Sequence, residues 1–327
     1  MPHGDNRIMP LGEFDLIARY FTRPMKRAAL GVGDDCALIS PAPGMQLAVS
    51  CDMLVEGRHF LASVAPERLG HKALAVNLSD LAACGAKPLG FTLALALPRV
   101  DEVFLEGFAR GLLALADAHD CELIGGDTTQ GPLNICITVF GELPAGQALL
   151  RSSARSGDDL YVSGAPGDAR LALEIIRGNP AVEGASLAAV RLAMERPEPR
   201  VGLGLALRGI ASSAVDVSDG LLGDLAHILE RSGVGATVEA DAVPRSAALR
   251  ALPLALQRVY TLAGGDDYEL LFTARVDDRE RVAASSRQAG VATTRIGRIE
   301  AVPGLRLVDG QGRQVANTFG SFDHFKP

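Results

Sequence analysis

The 327-residue sequence contains no tryptophan, and its aromatic residues amount to only 5%. Lysine is scarce as well. Lys26, Lys72, Lys87 and Lys326 are the only lysines, and every other basic residue is arginine. With 32 basic against 39 acidic residues the net charge is −7, and no basic run interrupts the acidic balance. A nucleic-acid partner needs a basic stripe and stacking aromatics, so this composition weighs against one. Long apolar runs are missing too. Phe91–Pro98 and Leu112–Ala116 are the longest, far short of the roughly 18 residues of a membrane span. Met1-Pro2-His3-Gly4-Asp5-Asn6 has no apolar signal core. The reading is a soluble, cytoplasmic protein with no membrane partner. The five cysteines, Cys36, Cys51, Cys84, Cys121 and Cys136, include no C-x-x-C pair; their odd number and wide spacing predict reduced thiols.

The common phosphate cradles are absent. No Gly-Lys dipeptide occurs, which removes the P-loop, and Gly31-Val32-Gly33 lacks the third glycine of a dinucleotide fingerprint. The protein-kinase signatures and the G-x-S-x-G elbow are missing too.

What remains is an alternation of apolar strands and helices. Strands are expected at Gln46–Cys51, Leu89–Leu97, Glu122–Gly125 and Asn134–Glu142. Helices are expected at Pro66–Ala83 and Glu102–His119, where Phe104, Leu105, Phe108, Leu112 and Leu115 recur at helical spacing. Turn formers cluster at Leu143–Gly146 and Arg155–Asp158. Beyond them strands are expected at Leu160–Ser163, Ser213–Val217, Tyr268–Thr273 and Thr293–Ile299. The matching helices are Asp168–Arg177, Leu221–Ser232 and Arg279–Ala289. At roughly 100–200 residues per domain the length suggests about two. The fold class is α/β (α+β), with domains at 1–148 and 149–327.

Aspartates flanked by small residues recur at the ends of apolar segments: Gly33-Asp34-Asp35, Ser50-Cys51-Asp52, Asn77-Leu78-Ser79-Asp80, Gly125-Gly126-Asp127, Asp216-Val217-Ser218-Asp219-Gly220 and Gly264-Gly265-Asp266-Asp267. Each alone also fits a turn. Ser218 and Asp219 also fit a helix N-cap, and Asn77 with Asp80 fits a polar surface stripe. Repeated across both halves, hard oxygen donors without Cys or His partners point to Mg²⁺ or Ca²⁺. Mg²⁺ is bound by one or two carboxylates together with phosphate oxygens and waters.

The ordered strings resemble the thiamine-monophosphate kinase family, of the superfamily that includes aminoimidazole ribonucleotide synthetase and selenophosphate synthetase. The matching strings run from Gly12-Glu13-Phe14-Asp15-Leu16-Ile17 through Gly31–Ala37, Lys72–Ala83, Leu123–Thr129 and Asp216–Leu221 to Gly264–Leu270 and Asp323-His324-Phe325. Selenophosphate synthetase relatives use a reactive residue near the N-terminus, whereas the first cysteine here is Cys36 inside an acidic motif. The hydrogenase-maturation relative presents a C-terminal cysteine, and none follows Cys136.

The resemblance implies transfer of the γ-phosphoryl of ATP to thiamine monophosphate, with several Mg²⁺ ions as cofactor. It implies metal ligands at Asp34, Ser50, Cys51, Asp52, Asp80, Asp127, Asp216 and Asp219. Cys51 stands where the family often has threonine. ATP contacts are implied at His119 (often tyrosine in relatives), Gly126, Asp127, Arg151 and Ser218. Substrate contacts are implied at His59, Asp266 (often glutamate) and Phe322 (often tyrosine). An acidic group and an aromatic face suit a cationic thiazolium ring. No catalytic base or covalent nucleophile is implied, because the acceptor phosphate oxygen is already ionised. The implied architecture is a two-domain aminoimidazole ribonucleotide synthetase-like fold whose N-terminal domains pair as a homodimer through a β-barrel.

Overall fold

The structure, a computed structural model, describes residues 12–320. Strands β1 (Met45–Val55), β2 (Lys87–Leu97), β3 (Glu122–Gln130) and β4 (Asn134–Pro144) form one sheet in the order β1-β4-β2-β3. Helices α1 (Glu13–Tyr20), α2 (Pro66–Cys84) and α3 (Glu102–Ala118) belong to the same part of the sequence. Asp101 caps α3 by accepting the Phe104 N–H at 3.1 Å, which satisfies one of the donors a helix start leaves open. Leu105, Phe108, Leu112 and Leu115 form its buried stripe, as the spacing predicts. Full burial of a side chain of this size contributes about 1.5–3 kcal/mol. Facing glycines let the backbones of α2 and α3 meet. A Cβ on Gly70 would lie 2.0 Å from the Phe108 carbonyl oxygen, and one on Gly111 would lie 1.8 Å from that of Glu67.

The strand expected at Glu122–Gly125 continues to Gln130. Gly126 and Asp127 therefore lie inside β3, paired in parallel with Leu93 and Ala94 of β2. The glycine serves close strand approach rather than a turn. A Cβ at Gly126 would come 1.9 Å from the Leu93 carbonyl oxygen, and its φ is 149°.

The second sheet contains β5 (Asp159–Ser163), β6 (Ala211–Asp216), β7 (Gly235–Glu239), β8 (Leu270–Ala274), β9 (Thr293–Glu300), β10 (Gly304–Val308) and β11 (Gln314–Val315). Their order is β11-β10-β7-β9-β5-β8-β6. Every pairing is antiparallel except β7 with β10. Alternation along the chain thus yields a largely antiparallel sheet, in the α+β sense. The helices here are α4 (Asp168–Ile176), α5 (Leu187–Glu195), α6 (Val201–Ala206), α7 (Leu221–Ser232), α8 (Ala247–Arg250), α9 (Leu254–Ala263) and α10 (Arg279–Ala289). Leu221, Leu225 and Ile228 of α7 join Leu160, Val215, Leu271 and Ile296 of the sheet in one core. A second core joins α4, α5, α8 and α9 around Leu171, Val190, Leu249 and Tyr260. No described helix is long and apolar enough to cross a membrane.

The chain divides into two compact units. The first takes the residues up to Ser40, Cys51–Leu74 and Leu89–Val139; the second takes Pro41–Ser50, Ala75–Pro88 and the chain from Phe140 onward.

Gly111→Ala places a methyl group in the Glu67 backbone and costs about 1–3 kcal/mol of stability as an overpacked contact. Urea unfolding of the two proteins measures the loss.

Candidate active site

In the second unit the site is built on the end of β6. Asp216, at its last position, is buried and accepts the Ser79 hydroxyl proton at 2.7 Å. Ser79 precedes Asp80 on α2, and Asp80 accepts from the Ser50 hydroxyl of β1 at 2.5 Å. Burial raises the Asp80 carboxyl above its usual range, against the Ser50 hydrogen bond and the Arg151 guanidinium, which lower it. Ser50, Asp80, Arg151 and Asp216 are thereby brought into one neighbourhood. Asn77 is only 1% exposed, so Asn77 and Asp80 do not form a surface stripe.

The segment after β6 departs from the helix-cap reading. Gly220 precedes α7, and no side chain caps that helix. Instead the backbone N–H groups of Ser218 and Asp219 donate to Asp224 Oδ2 at 3.0 and 3.1 Å. The cap runs backwards, from a carboxylate inside α7 to the turn before it. This leaves the side chains of Ser218 and Asp219 half-buried and uncommitted to the helix start. Burial, reinforced by the charges of Asp216 and Asp219, pushes the Asp224 carboxyl up to about 8. Sequence reasoning missed Asp224; its signal was an acidic residue on the apolar face of a first turn, beside Leu221 and Leu225. The Asp266 N–H donates to the Ser218 carbonyl at 2.7 Å, and the Tyr268 N–H to that of Val217 at 2.8 Å. The loop carrying Asp266 is therefore tied to the loop carrying Ser218.

In the first unit Asp34 is exposed and accepts the Asp35 N–H at 2.8 Å. Cys51 is exposed on β1 beside Asp52, its sulfur 3.5 Å from that of Cys136. His59 Nδ1 accepts the Val55 N–H at 3.0 Å, which leaves Nε2 as the nitrogen that carries the proton. Gly126 and Asp127 are exposed on β3. His119 follows the last turn of α3 and is half-buried. Phe322 lies outside the described residues, as does the Asp323-His324-Phe325 string. Among the described residues no group of three or more His, Cys, Asp or Glu could by itself hold a metal ion.

The sequence matches the AIR synthase related protein family over two domains: the N-terminal domain at residues 33–143 and the C-terminal domain at residues 155–310. It is 46% identical to the thiamine-monophosphate kinase of Salmonella typhimurium strain LT2, covering 97% of this chain and 99% of the relative. The crystal structure of thiamine-monophosphate kinase from Stenotrophomonas maltophilia K279a matches with a TM-score of 0.82 at 46% identity, over 92% of this chain and 95% of that one. The chain belongs to the thiamine-monophosphate kinase family. AaThiL complexed with AMPPCP and TMP also matches, at a TM-score of 0.75 and 30% identity, over 88% of this chain and 89% of that one. The two-domain AIR synthase-like fold is thus shared with thiamine-monophosphate kinases along nearly the full length.

The Asp224 environment gives a pH dependence for the metal-free protein. Its folded carboxyl keeps its proton to about pH 8, whereas an unfolded aspartate releases its own near pH 4. Between those values the folded state binds more protons, so stability falls as pH rises. Urea unfolding at steps from pH 4 to 8 reads this slope. Asp224→Asn flattens it.

Proposed function

We propose that the chain transfers the γ-phosphoryl group of ATP to thiamine monophosphate, giving thiamine diphosphate and ADP. The transfer is a direct in-line displacement assisted by several Mg²⁺ ions. The observation that carries this reading is the gathering of Asp216, Asp219 and Asp224 at the end of β6, where burial, reinforced by the two neighbouring charges, pushes the Asp224 carboxyl to about 8. Both substrates are polyanions. Two like unit charges 4 Å apart repel by about 4 kcal/mol at an effective dielectric near 20. Carboxylates alone would add to that repulsion.

The residues fit a hard divalent cation. Ser50, Asp80, Asp216 and Asp219 offer oxygen donors, the ligand type of an ion that is shared with phosphate oxygens. Asp34, Ser50, Asp52, Asp80, Asp127, Asp216 and Asp219 would hold Mg²⁺, and Cys51 would contribute through its backbone carbonyl, since thiol is a poor ligand for this ion. Bound Mg²⁺ supplies neutralisation of the phosphate charge. Arg151, beside Asp80, adds a fixed cation for a phosphate of ATP. Gly126 gives ATP close access to the backbone, with Asp127, Ser218 and His119 as further contacts. His59 donates from Nε2 to the acceptor phosphate. Asp266 faces the thiazolium cation; the contact implied for Phe322 falls outside the described residues. No side chain needs to take a proton from the acceptor, which is already ionised, so the transfer proceeds without a phospho-enzyme.

The reading extends to assembly and domain layout. Met45, Leu47, Val49 and Met53 lie exposed along one face of β1, an apolar row of the kind that marks an association surface. We place there the pairing of N-terminal sheets from two copies into a homodimeric barrel. The domain boundary is placed near residue 148, supported by the matched family segments, which end at 143 and resume at 155. The net charge of −7 supports an enzyme without a nucleic-acid partner, which we place in the cytoplasm.

Two measurements test this. The protein incubated with Mg-ATP and thiamine monophosphate forms equal amounts of thiamine diphosphate and ADP on chromatography, and γ-labelled ATP leaves no label on the protein. EDTA abolishes turnover and Asp80→Asn lowers kcat by ~10²-fold or more; ADP without thiamine diphosphate contradicts the reading. In light scattering the wild type runs as a dimer and Val49→Asp as a monomer. A monomeric wild type overturns the assembly.

A further inference from the structure

The segment Gly264-Gly265-Asp266-Asp267-Tyr268-Glu269 holds two adjacent carboxylates in opposite surroundings. Asp266 is half-buried, whereas the Asp267 Oδ2 is closed off from solvent and has no hydrogen-bond partner. The backbone on either side is strained. Asp266 and Tyr268 have φ of 64° and 53°, and with Asp120 they are the three non-glycine residues in the left-handed region among those described. Such conformations cost about 1–3 kcal/mol each and persist only where the surroundings enforce them.

The enforcing contacts surround Asp267. The Asp266 and Tyr268 N–H groups donate to Ser218 and Val217, and the Val217 N–H donates to the Glu269 carbonyl at 2.8 Å. The Glu269 side chain is gripped by Arg200 Nε at 2.7 Å and by the Ser163 hydroxyl. Between these fixed points Asp267 Oδ1 anchors the loop by accepting the Gly167 N–H at 2.7 Å, at the start of α4. A buried acid that makes one hydrogen bond and leaves its other oxygen unsatisfied is expensive to keep. Burial, with the charges of Glu269, Asp266 and Asp168 nearby, raises its carboxyl well above the usual range.

We propose that Asp267 is a positioning residue for the acceptor site: by anchoring the strained loop to the Gly167 amide, it sets the direction of the Asp266 carboxylate toward the cationic ring of the acceptor. This rests on the acceptor-binding role of Asp266 proposed above. Asp267 touches neither substrate, and its effect passes through its neighbour.

The test is steady-state kinetics of the full-length protein, varying thiamine monophosphate and ATP separately. Asp267→Ala raises KM for thiamine monophosphate by about tenfold or more and leaves kcat and the KM for ATP within about twofold. Asp267→Asn, an uncharged isostere that still accepts the Gly167 N–H, restores KM to within about threefold of wild type. In an Asp266→Asn background, adding Asp267→Ala changes KM by less than about twofold, because the route through Asp266 is already cut. If the alanine protein does not fold, Asp267→Ser, too short to reach the amide, carries the same expectation. An unchanged KM for thiamine monophosphate in either short variant overturns the inference. So does a parallel rise for both substrates, or an asparagine variant as impaired as the short ones. A wild-type protein without turnover of thiamine monophosphate overturns the functional reading instead.

Discussion

Mutual repulsion of negative charge governs the architecture around β6. Asp216 ends the strand, Asp219 follows in the turn and Asp224 lies in the first turn of α7, where burial and the charges of the other two disfavour its ionisation. A protein stabilised only for its own sake would replace such a group with apolar side chains of similar volume. In the reaction proposed above cations and phosphates arrive together, and the ions would then satisfy carboxylates and substrates at once. The hydroxyls of Ser79 and Ser50 fit the same account: each donates to one oxygen of Asp216 or Asp80 and holds that carboxylate in place.

The scaffold delivers these oxygens by backbone means. Asp127 is held within β3 and Asp216 at the end of β6, helix α2 supplies Ser79 and Asp80, and the backward cap from Asp224 leaves the side chains of Ser218 and Asp219 out of the helix start. Close glycine contacts allow the tight strand pairing at Gly126. The loop carrying Asp266 is tied by backbone hydrogen bonds to the loop carrying Ser218. Within the second unit, Ser218 and Asp266, proposed above as nucleotide and acceptor contacts, thereby share one backbone frame.

Much of this was legible in the sequence, for identifiable reasons. Helix α3 could be read from its 3.6-residue period because one stripe is buried, and the aspartates stood out because small residues flank them. The largely antiparallel pairing of the second sheet was not legible, since alternation of strands and helices does not encode strand direction. The extension of β3 through Gly126 was missed because glycine and aspartate signal turns, whereas here the neighbouring strand demands the missing side chain. The roles of Asp224 and Asp267 were also hidden. Each acts on backbone N–H groups in another segment or turn, a relation that no local pattern expresses.

The central claim is that the carboxylate site takes up a polyanionic nucleotide only together with divalent cations. Calorimetric titration of a non-hydrolysable ATP analogue into the protein tests it most directly, with Mg²⁺ present and after its removal by EDTA. The account predicts saturable binding with Mg²⁺ and a loss of at least about a hundredfold in affinity without it, the scale of two uncompensated contacts of about 1.4 kcal/mol each. Equal affinity under both conditions would contradict it.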